Sequence, residues 1–161
     1  MFRLIDSPLG PLRLQASPRG LSRVEFTAAS ILQKEMGGVE EGDVGKRSAD
    51  VLDTAQAQLT EYFAGQRRTF ELPLDPPATT DFRAAVHAQL AEIGYGETVT
   101  YRDVAKLLGR PGATRAVGSA CGANPLLIVR PCHRVLRSDG GLGGYAGDLE
   151  AKRFLLTLEE N

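Results

Sequence analysis

Residues Thr100–Gly122 read TYRDVAKLLGRPGATRAVGSACG, two short helix-forming runs on either side of a turn. Thr100 is suited to cap the first run, Asp103 completes a capping box, and Val104, Ala105, Leu107 and Leu108 supply its apolar positions. Gly109 stops this helix, Arg110-Pro111-Gly112 turns the chain, and Thr114 opens a second helix that runs to Gly122. Two short helices joined through glycine are the sequence form of a helix-turn-helix. The second helix carries almost no bulk, with Ala116, Gly118, Ser119, Ala120 and Gly122 along it. Such a helix either packs tightly against another helix or approaches another backbone closely, as at the wall of a DNA groove. Arg115, alone and large near its start, favours the second.

Downstream, Asn124-Pro125 precedes Leu126-Leu127-Ile128-Val129, which composition reads as a buried strand or extended segment leading to Pro131-Cys132-His133-Arg134-Val135. A thiol, an imidazole and a guanidinium then stand in consecutive positions. Residues 138–147 hold five glycines and Tyr145, a loop that can move or let a ligand approach the backbone. Asp148 is expected to cap a final helix burying Leu149, Leu155, Leu156 and Leu158.

Upstream, Asp81 is the expected N-cap of a helix with Phe82, Val86, Leu90 and Ile93 on one face. His87 lies beside that stripe and reads as a structural or surface histidine. Pro73-Leu74-Asp75-Pro76-Pro77 forbids helix and marks a boundary. The expected domains are therefore 1–77, β-rich with one helix, and 78–161, mainly helical. In the first, the runs Phe2–Ile5, Leu12–Ala16 and Leu21–Phe26 alternate with Pro/Gly turns and predict a three-stranded meander. Residues 27–47 lose the pattern, and the acidic, glycine-rich 37–43 reads as a mobile loop. A helix capped by Ser48 follows, with Val51, Leu52, Ala55, Leu59, Tyr62 and Phe63 on one face, then Gly65 and a short strand over Thr69–Leu72. The fold class is α/β in the α+β sense.

Composition bounds the function. Hydrophobic residues make up 42% and charged residues 24% of 161 positions, which fits a folded globular protein and excludes a disordered or disulfide-built chain. No stretch approaches the roughly 20 apolar residues of a membrane span, so a cytoplasmic location and no membrane partner are expected. Two cysteines and two histidines are too few, at unsuitable spacings, for a zinc cluster, and no metal or cofactor is expected. The formal charge of −1 hides a basic segment, since residues 101–137 carry seven Arg or Lys against Asp103 alone, a net of +6. A local patch of that kind suits phosphate binding, although scattered solvated arginines give the same count.

A cysteine thiol with a pKa near 8.5 needs a base or a positive environment to act as a nucleophile. His133 and Arg134 offer both, but neighbours in an extended chain point apart. A direct Cys132–His133 contact therefore requires a turn or a bridging water. An acid orienting the histidine would complete a relay, and Glu150, Glu159 and Glu160 are candidates. Without further context, a buried inert cysteine is the commoner case.

The context is a resemblance. Tyr101, Arg115-Ala116-Val117-Gly118, Asn124-Pro125, Pro131–Val135 and Gly144-Tyr145, in this order over residues 81–159, resemble the O6-alkylguanine-DNA alkyltransferase family, and Tyr62–Gly65 through Leu72-Pro73-Leu74 resembles its bacterial members. The resemblance implies a ribonuclease H-like N-terminal domain and a C-terminal domain with a winged-helix-like helix-turn-helix. It implies a single-turnover repair enzyme that moves an alkyl group from O6 of guanine, less readily O4 of thymine, onto Cys132. By the same resemblance His133 acts through a water, Glu159 orients it, and Asn124 fixes the turn carrying the cysteine. The carbonyls of Cys132 and Val135 recognise the base, Tyr101 and the Ala146 amide stabilise it, and Tyr145 walls the pocket. Double-stranded DNA is the implied partner, bound in its minor groove through Thr114, Arg115, Ala116 and Gly118. Arg115 fills the gap of the rotated nucleotide, Tyr101 helps rotate it, and the free protein is a monomer. Two positions depart from some members: Ala146 replaces a serine and Leu127 a proline, and the zinc ligands of some animal members are absent. The rivals are a non-catalytic lesion-binding relative, disfavoured by Cys132, a Cys-His hydrolase, which leaves the basic segment without purpose, and a helix-turn-helix regulator, which needs no PCHRV.

Overall fold

Leu12, Leu14 and Ala16 are buried while their neighbours are partly exposed, the period of two expected of a strand with one face in a core. They lie in β2 (Leu12–Ser17), the middle strand of an antiparallel sheet with β1 (Phe2–Ile5) and β3 (Gly20–Phe26) in the order β1-β2-β3. A bulge between Gln15 and Ala16 shifts the β2–β3 register. The computed structural model describes residues 1–27 and 42–161. The glycine-rich stretch read as a loop lies almost wholly outside them, apart from its last residues, which are helical.

Helix α1 (Gly42–Phe63) packs on the sheet, chiefly on β2, through Val51, Leu52, Ala55, Leu59 and Tyr62. Ser48 does not cap it. Gly45 and Ser48 continue the buried face toward the start, so small residues extend a stripe that bulky ones alone appear to begin. Thr69–Leu72 forms no strand either. The Gln58 side chain takes both backbone groups of Glu71 at 2.8 Å each, as a neighbouring strand would. Pairing with the sheet comes later, as a parallel bridge of Leu74 with Leu21. These elements make one compact unit, Met1–Pro77; the second is Ala78–Asn161.

The second unit contains α2 (Asp81–Leu90), β4 (Val99–Thr100), α3 (Tyr101–Leu107), α4 (Thr114–Gly122), β5 (Val135–Leu136) and α5 (Leu149–Glu159). Thr80, not Asp81, caps α2, accepting from Arg83 N–H at 3.3 Å; Asp81 sits in the first turn, where its charge suits the helix dipole. The capping box of α3 is present, with both Thr100–Asp103 hydrogen bonds formed at 2.9 and 3.0 Å. α4 packs on both α2 and α3. His87 is buried on α2 with Nε2 2.8 Å from Ala120 O of α4, a structural histidine whose burial lowers its pKa.

Leu126–Ile128 is buried and Val129 half-buried, but the segment forms a turn, not a strand. Val129 N–H donates to Leu127 O and Arg130 N–H to Leu126 O, both at 2.8 Å, and Ile128 sits at φ 70°. On α5 the buried face is Ala151, Lys152, Leu155 and Glu159, whereas Leu149 is 47% exposed. Two of those four are charged, and the reason lies in the site they serve. β4 and β5 pair in parallel, Val99 opposite Val135 and Thr100 opposite Leu136, which joins the start of the helix-turn-helix to the residues just after Arg134. Among the described residues no helix is long and apolar enough to cross a membrane.

Gly20 marks the tightest approach in the first unit, because a Cβ there would lie 2.6 Å from Pro73 O. Gly20→Ala is expected to part the Leu21–Leu74 bridge and destabilise the unit by about 1–3 kcal/mol, measurable as a lowered melting temperature.

Candidate active site

Cys132 opens a 3-10 turn, Cys132–Arg134, that follows directly on Pro131. This is the turn that an extended reading of the segment lacked. Its entry is fixed from the side: Asn124 donates to Arg130 O at 2.9 Å and accepts from Leu126 N–H at 3.1 Å, bracketing the left-handed Ile128. A β-branched residue at positive φ is costly, and the Asn124 bonds are what hold the chain through it. Cys132 is buried, and burial pushes its thiol pKa up; the Asn124 amide and the Lys152 ammonium pull it back down.

No direct hydrogen bond joins the Cys132 thiol to the His133 ring among the described residues. His133 Nε2 lies 2.8 Å from Glu159 Oε1, with both side chains fully enclosed. An ionised carboxylate only accepts, so Nε2 carries the hydrogen and Nδ1 holds the free lone pair. Nδ1 has no partner among the described residues. The ring is thus a base whose accepting nitrogen is set by Glu159. Burial lowers the His133 pKa, outweighing the Glu159 bond that raises it. For Glu159, burial pushes the carboxyl up, but the hydrogen bonds and charges of His133 and Arg134 bring it down to about 2. The other candidate acids, Glu150 and Glu160, are exposed.

Arg134 does not electrify the thiol as its neighbour in sequence. Its guanidinium turns away to take Glu159, Nε to Oε2 at 2.9 Å and Nη2 to Oε1 at 2.8 Å, and Nη1 donates to Ile93 O at 2.6 Å. One buried cation is therefore spent inside the fold, so the basic segment offers less charge to a partner than its count suggests. Arg102, Lys106, Arg110, Arg115 and Arg137 are exposed.

The residue that sequence reasoning missed is Lys152. Fully buried on α5, it donates to Val135 O at 2.7 Å, to Leu142 O, and to Gly144 O at 3.3 Å, and its Nζ stands 3.5 Å from Tyr101 Oη. It clamps the glycine loop to β5 and supplies the cation near both Cys132 and Tyr101. The signal was present: Lys152, Leu155 and Glu159 share one helical face, and two charges on a buried stripe mark a site.

A cavity of about 500 Å³ opens beside the sulfur, within the range that takes a small ligand. Tyr101, Thr114, Arg115, Gly118, Tyr145 and Ala146 line it with Cys132. Cys121, a second thiol on α4, lines it as well, and burial pushes its pKa up to about 12. Tyr101 is likewise raised by burial, to about 12, so its hydroxyl stays a proton donor. Gly143 passes flat against that ring, where a Cβ would lie 2.8 Å from Tyr101 atoms. His133, Glu159 and Asn124 stand behind the cysteine rather than on the cavity wall. Val135 is buried in β5 with its carbonyl already accepting from Lys152, and Ala116 is exposed on α4 outside the lining. Among the described residues no group of three or more metal-ligating side chains could hold a metal ion.

Two measurements follow from the buried charges. Arg134→Ala leaves Glu159 enclosed without the two hydrogen bonds and the positive charge that Arg134 gives it, and is expected to cost about 3–5 kcal/mol of stability in denaturant titration. The pH dependence has a fixed sign. His133 binds its proton less readily folded than unfolded, so stability declines as pH drops below about 6.5. Glu159, lowered to about 2, adds stability that is fully present above its unfolded pKa near 4.5 and is lost as pH falls toward 2. Glu159→Gln is expected to flatten the lower part of that acid limb in a melting-temperature profile.

Residues 81–161 match the 6-O-methylguanine DNA methyltransferase DNA binding domain, and residues 1–76 the ribonuclease-like domain of the same proteins. The methylated-DNA–protein-cysteine methyltransferase of Methanosarcina barkeri is 42% identical over 160 residues, covering 99% of this chain and 97% of that one. The protein of the same name from Mycobacterium tuberculosis is 38% identical over 160 residues, with 99% and 92% covered. The crystal structure of Mycobacterium tuberculosis OGT in complex with DNA superposes with a TM-score of 0.82 at 40% identity, again covering 99% of this chain and 92% of that one. With both halves matched and relatives aligned over nearly their whole length, the chain belongs to the 6-O-methylguanine DNA methyltransferase family and has its two-domain fold.

Proposed function

We propose that Cys132 is the acceptor in a direct, single-turnover transfer of a methyl or other alkyl group from O6 of guanine, and less readily O4 of thymine, in DNA. Repair of DNA by alkyl transfer and the methyltransferase class follow from the family; the residues and the order of events are read from the site. The observation that carries the reading is the His133–Glu159 bond, which leaves Nδ1 of a fully buried ring as the base one residue from a thiol that lines a cavity.

In the proposed reaction, Nδ1 takes the thiol proton through a water and the thiolate attacks the alkyl carbon. The sulfur–carbon bond forms as the carbon–O6 bond breaks, and the electron pair leaves on the guanine. Tyr101, raised to about 12, and the Ala146 amide hydrogen-bond the departing base at N3 and O6, and the proton taken from the thiol returns from His133 through water, so that the guanine leaves neutral. The carbonyls of Cys132 and Val135 take its exocyclic amine; Val135 O offers its second lone pair, the first being held by Lys152. Tyr145 walls the alkyl side. The thioether has no leaving route, so each copy acts once.

A base inside a duplex cannot reach a buried sulfur, and the nucleotide must leave the stack at a cost of a few kcal/mol. α4 supports a role at the minor groove. Thr114, Ala116 and Gly118 keep its outer face small, Ala116 is exposed, and Arg115 reaches from it to fill the vacated space. Tyr101 then aids rotation from the opposite wall. The protein is read as a cytoplasmic monomer in its free state.

Incubation with a duplex containing O6-methylguanine is expected to add one methyl per molecule at Cys132, read by intact mass and peptide mapping. Repeated turnover, or transfer to Cys132→Ala, would remove the acceptor role. Arg115→Ala is expected to slow repair in duplex more than reaction with free O6-methylguanine, and equal losses would exclude the gap-filling role.

A further inference from the structure

We propose that Arg137 is a phosphate clamp at the mouth of the Cys132 cavity, exchanging the carboxylate of Asp139 for a backbone phosphodiester of the bound DNA, across the opening from Arg115. The proposal rests on the DNA-repair reading above and names a contact that reading does not require.

Arg115 and Arg137 are the charged residues on the cavity wall, and no acid lines it. The two come from different segments, Arg115 from α4 and Arg137 from the turn that follows β5, and both line the same cavity. Arg137 is anchored at its backbone and loose at its tip. Its N–H donates to Gly141 O at 2.9 Å and its carbonyl accepts from Gly140 N–H at 3.1 Å, which fixes where the side chain starts. The guanidinium meets Asp139 alone among the described residues, Nη2 to Oδ2 at 2.8 Å, with the two side chains 61% and 59% exposed. An ion pair so open to water holds its partner weakly. The Asp139 carboxylate is itself kept in place by Gly141 N–H at 2.9 Å.

Beyond the Asp139 pair, no hydrogen bond or ion pair occupies the Arg137 guanidinium among the described residues. Arg134, three residues earlier, shows the contrast, enclosed and with Nε and both Nη nitrogens engaged by Glu159 and Ile93. A guanidinium fork matches phosphate oxygens in pairs, and a rotated nucleotide entering this cavity brings its two flanking phosphates to the rim. Asp139 holds the fork near the opening until phosphate replaces it. Beyond the glycine loop, Arg137 also borders a cleft of about 670 Å³ with Arg153, an exposed cation without an ion-pair partner among the described residues. Asp148 lines that cleft too, with its carboxylate engaged by Ala151 N–H at 2.6 Å, so the cleft is less cationic than the rim and Arg153 plays the lesser part.

The test measures binding of the full chain to a methylated duplex over a range of KCl. Each phosphate neutralised contributes about −0.9 to the slope of log affinity against log salt. Arg137→Ala is expected to make the slope shallower by about that amount and to weaken binding several-fold at low salt. Asp139→Asn, which retains an acceptor for Gly141 but frees the guanidinium, is expected to bind more tightly than the parent at low salt. Arg19→Ala, which removes an exposed charge from the first unit, is the control and should leave the slope in place. An unchanged slope for Arg137→Ala, an equal change for Arg19→Ala, or an Asp139→Asn no tighter than the parent would each overturn the proposal. Arg137→Gln replaces Arg137→Ala if the latter does not fold. Failure of the underlying reading looks different, because the parent protein then gains no methyl from the duplex at all.

Discussion

The second unit depends on one carboxylate. Glu159 accepts from His133 and, twice, from Arg134, so two adjacent residues of the 3-10 turn are oriented by one side chain on α5. Enclosing an ionised acid is unfavourable unless it is paired and hydrogen-bonded. Here Arg134 supplies the charge, which leaves the His133 bond free to select a tautomer instead of neutralising the acid. The base and the fold thus draw on different partners of the same group.

The remaining parts hang from that frame by short, specific links. The β4–β5 ladder sets Tyr101 at the start of α3 beside the turn that carries Cys132. Lys152 draws the glycine loop onto β5 from behind, placing Gly143 flat on the Tyr101 ring. α4, with its small residues, closes the cavity from the side of the helix-turn-helix. The segment proposed to meet DNA and the segment proposed to accept the alkyl group therefore share walls, with no hinge needed between recognition and chemistry.

What could be read from sequence was what local chemistry determines. The capping box at Thr100, the Gly109 stop and the three N-terminal strands each depend on residues a few positions apart, and each is present. Ser48 was misread because bulk alone defined the stripe, and small residues carried it further. Leu126–Val129 was misread because burial does not distinguish a strand from a buried turn, and a positive φ at Ile128 runs against the preference of its own side chain. Lys152 went unseen because a lysine is assigned to solvent by default, and only tertiary packing shows four oxygens converging on it. Residue chemistry alone left three acids open for His133. The resemblance named Glu159, and the fold places it in contact while Glu150 and Glu160 face outward.

The position of Glu159 on the last helix of the unit has a consequence for how an active molecule comes into being. The thiol, the imidazole and the guanidinium are all made before the carboxylate that organises them, which follows His133 by 26 residues. Until α5 docks, Arg134 has no anion, the ring has no preferred tautomer and the glycine loop has no clamp. Docking supplies all three together. The Glu159 bonds to His133 and Arg134 and the Lys152 clamp on the glycine loop then form in a single event, the seating of one helix.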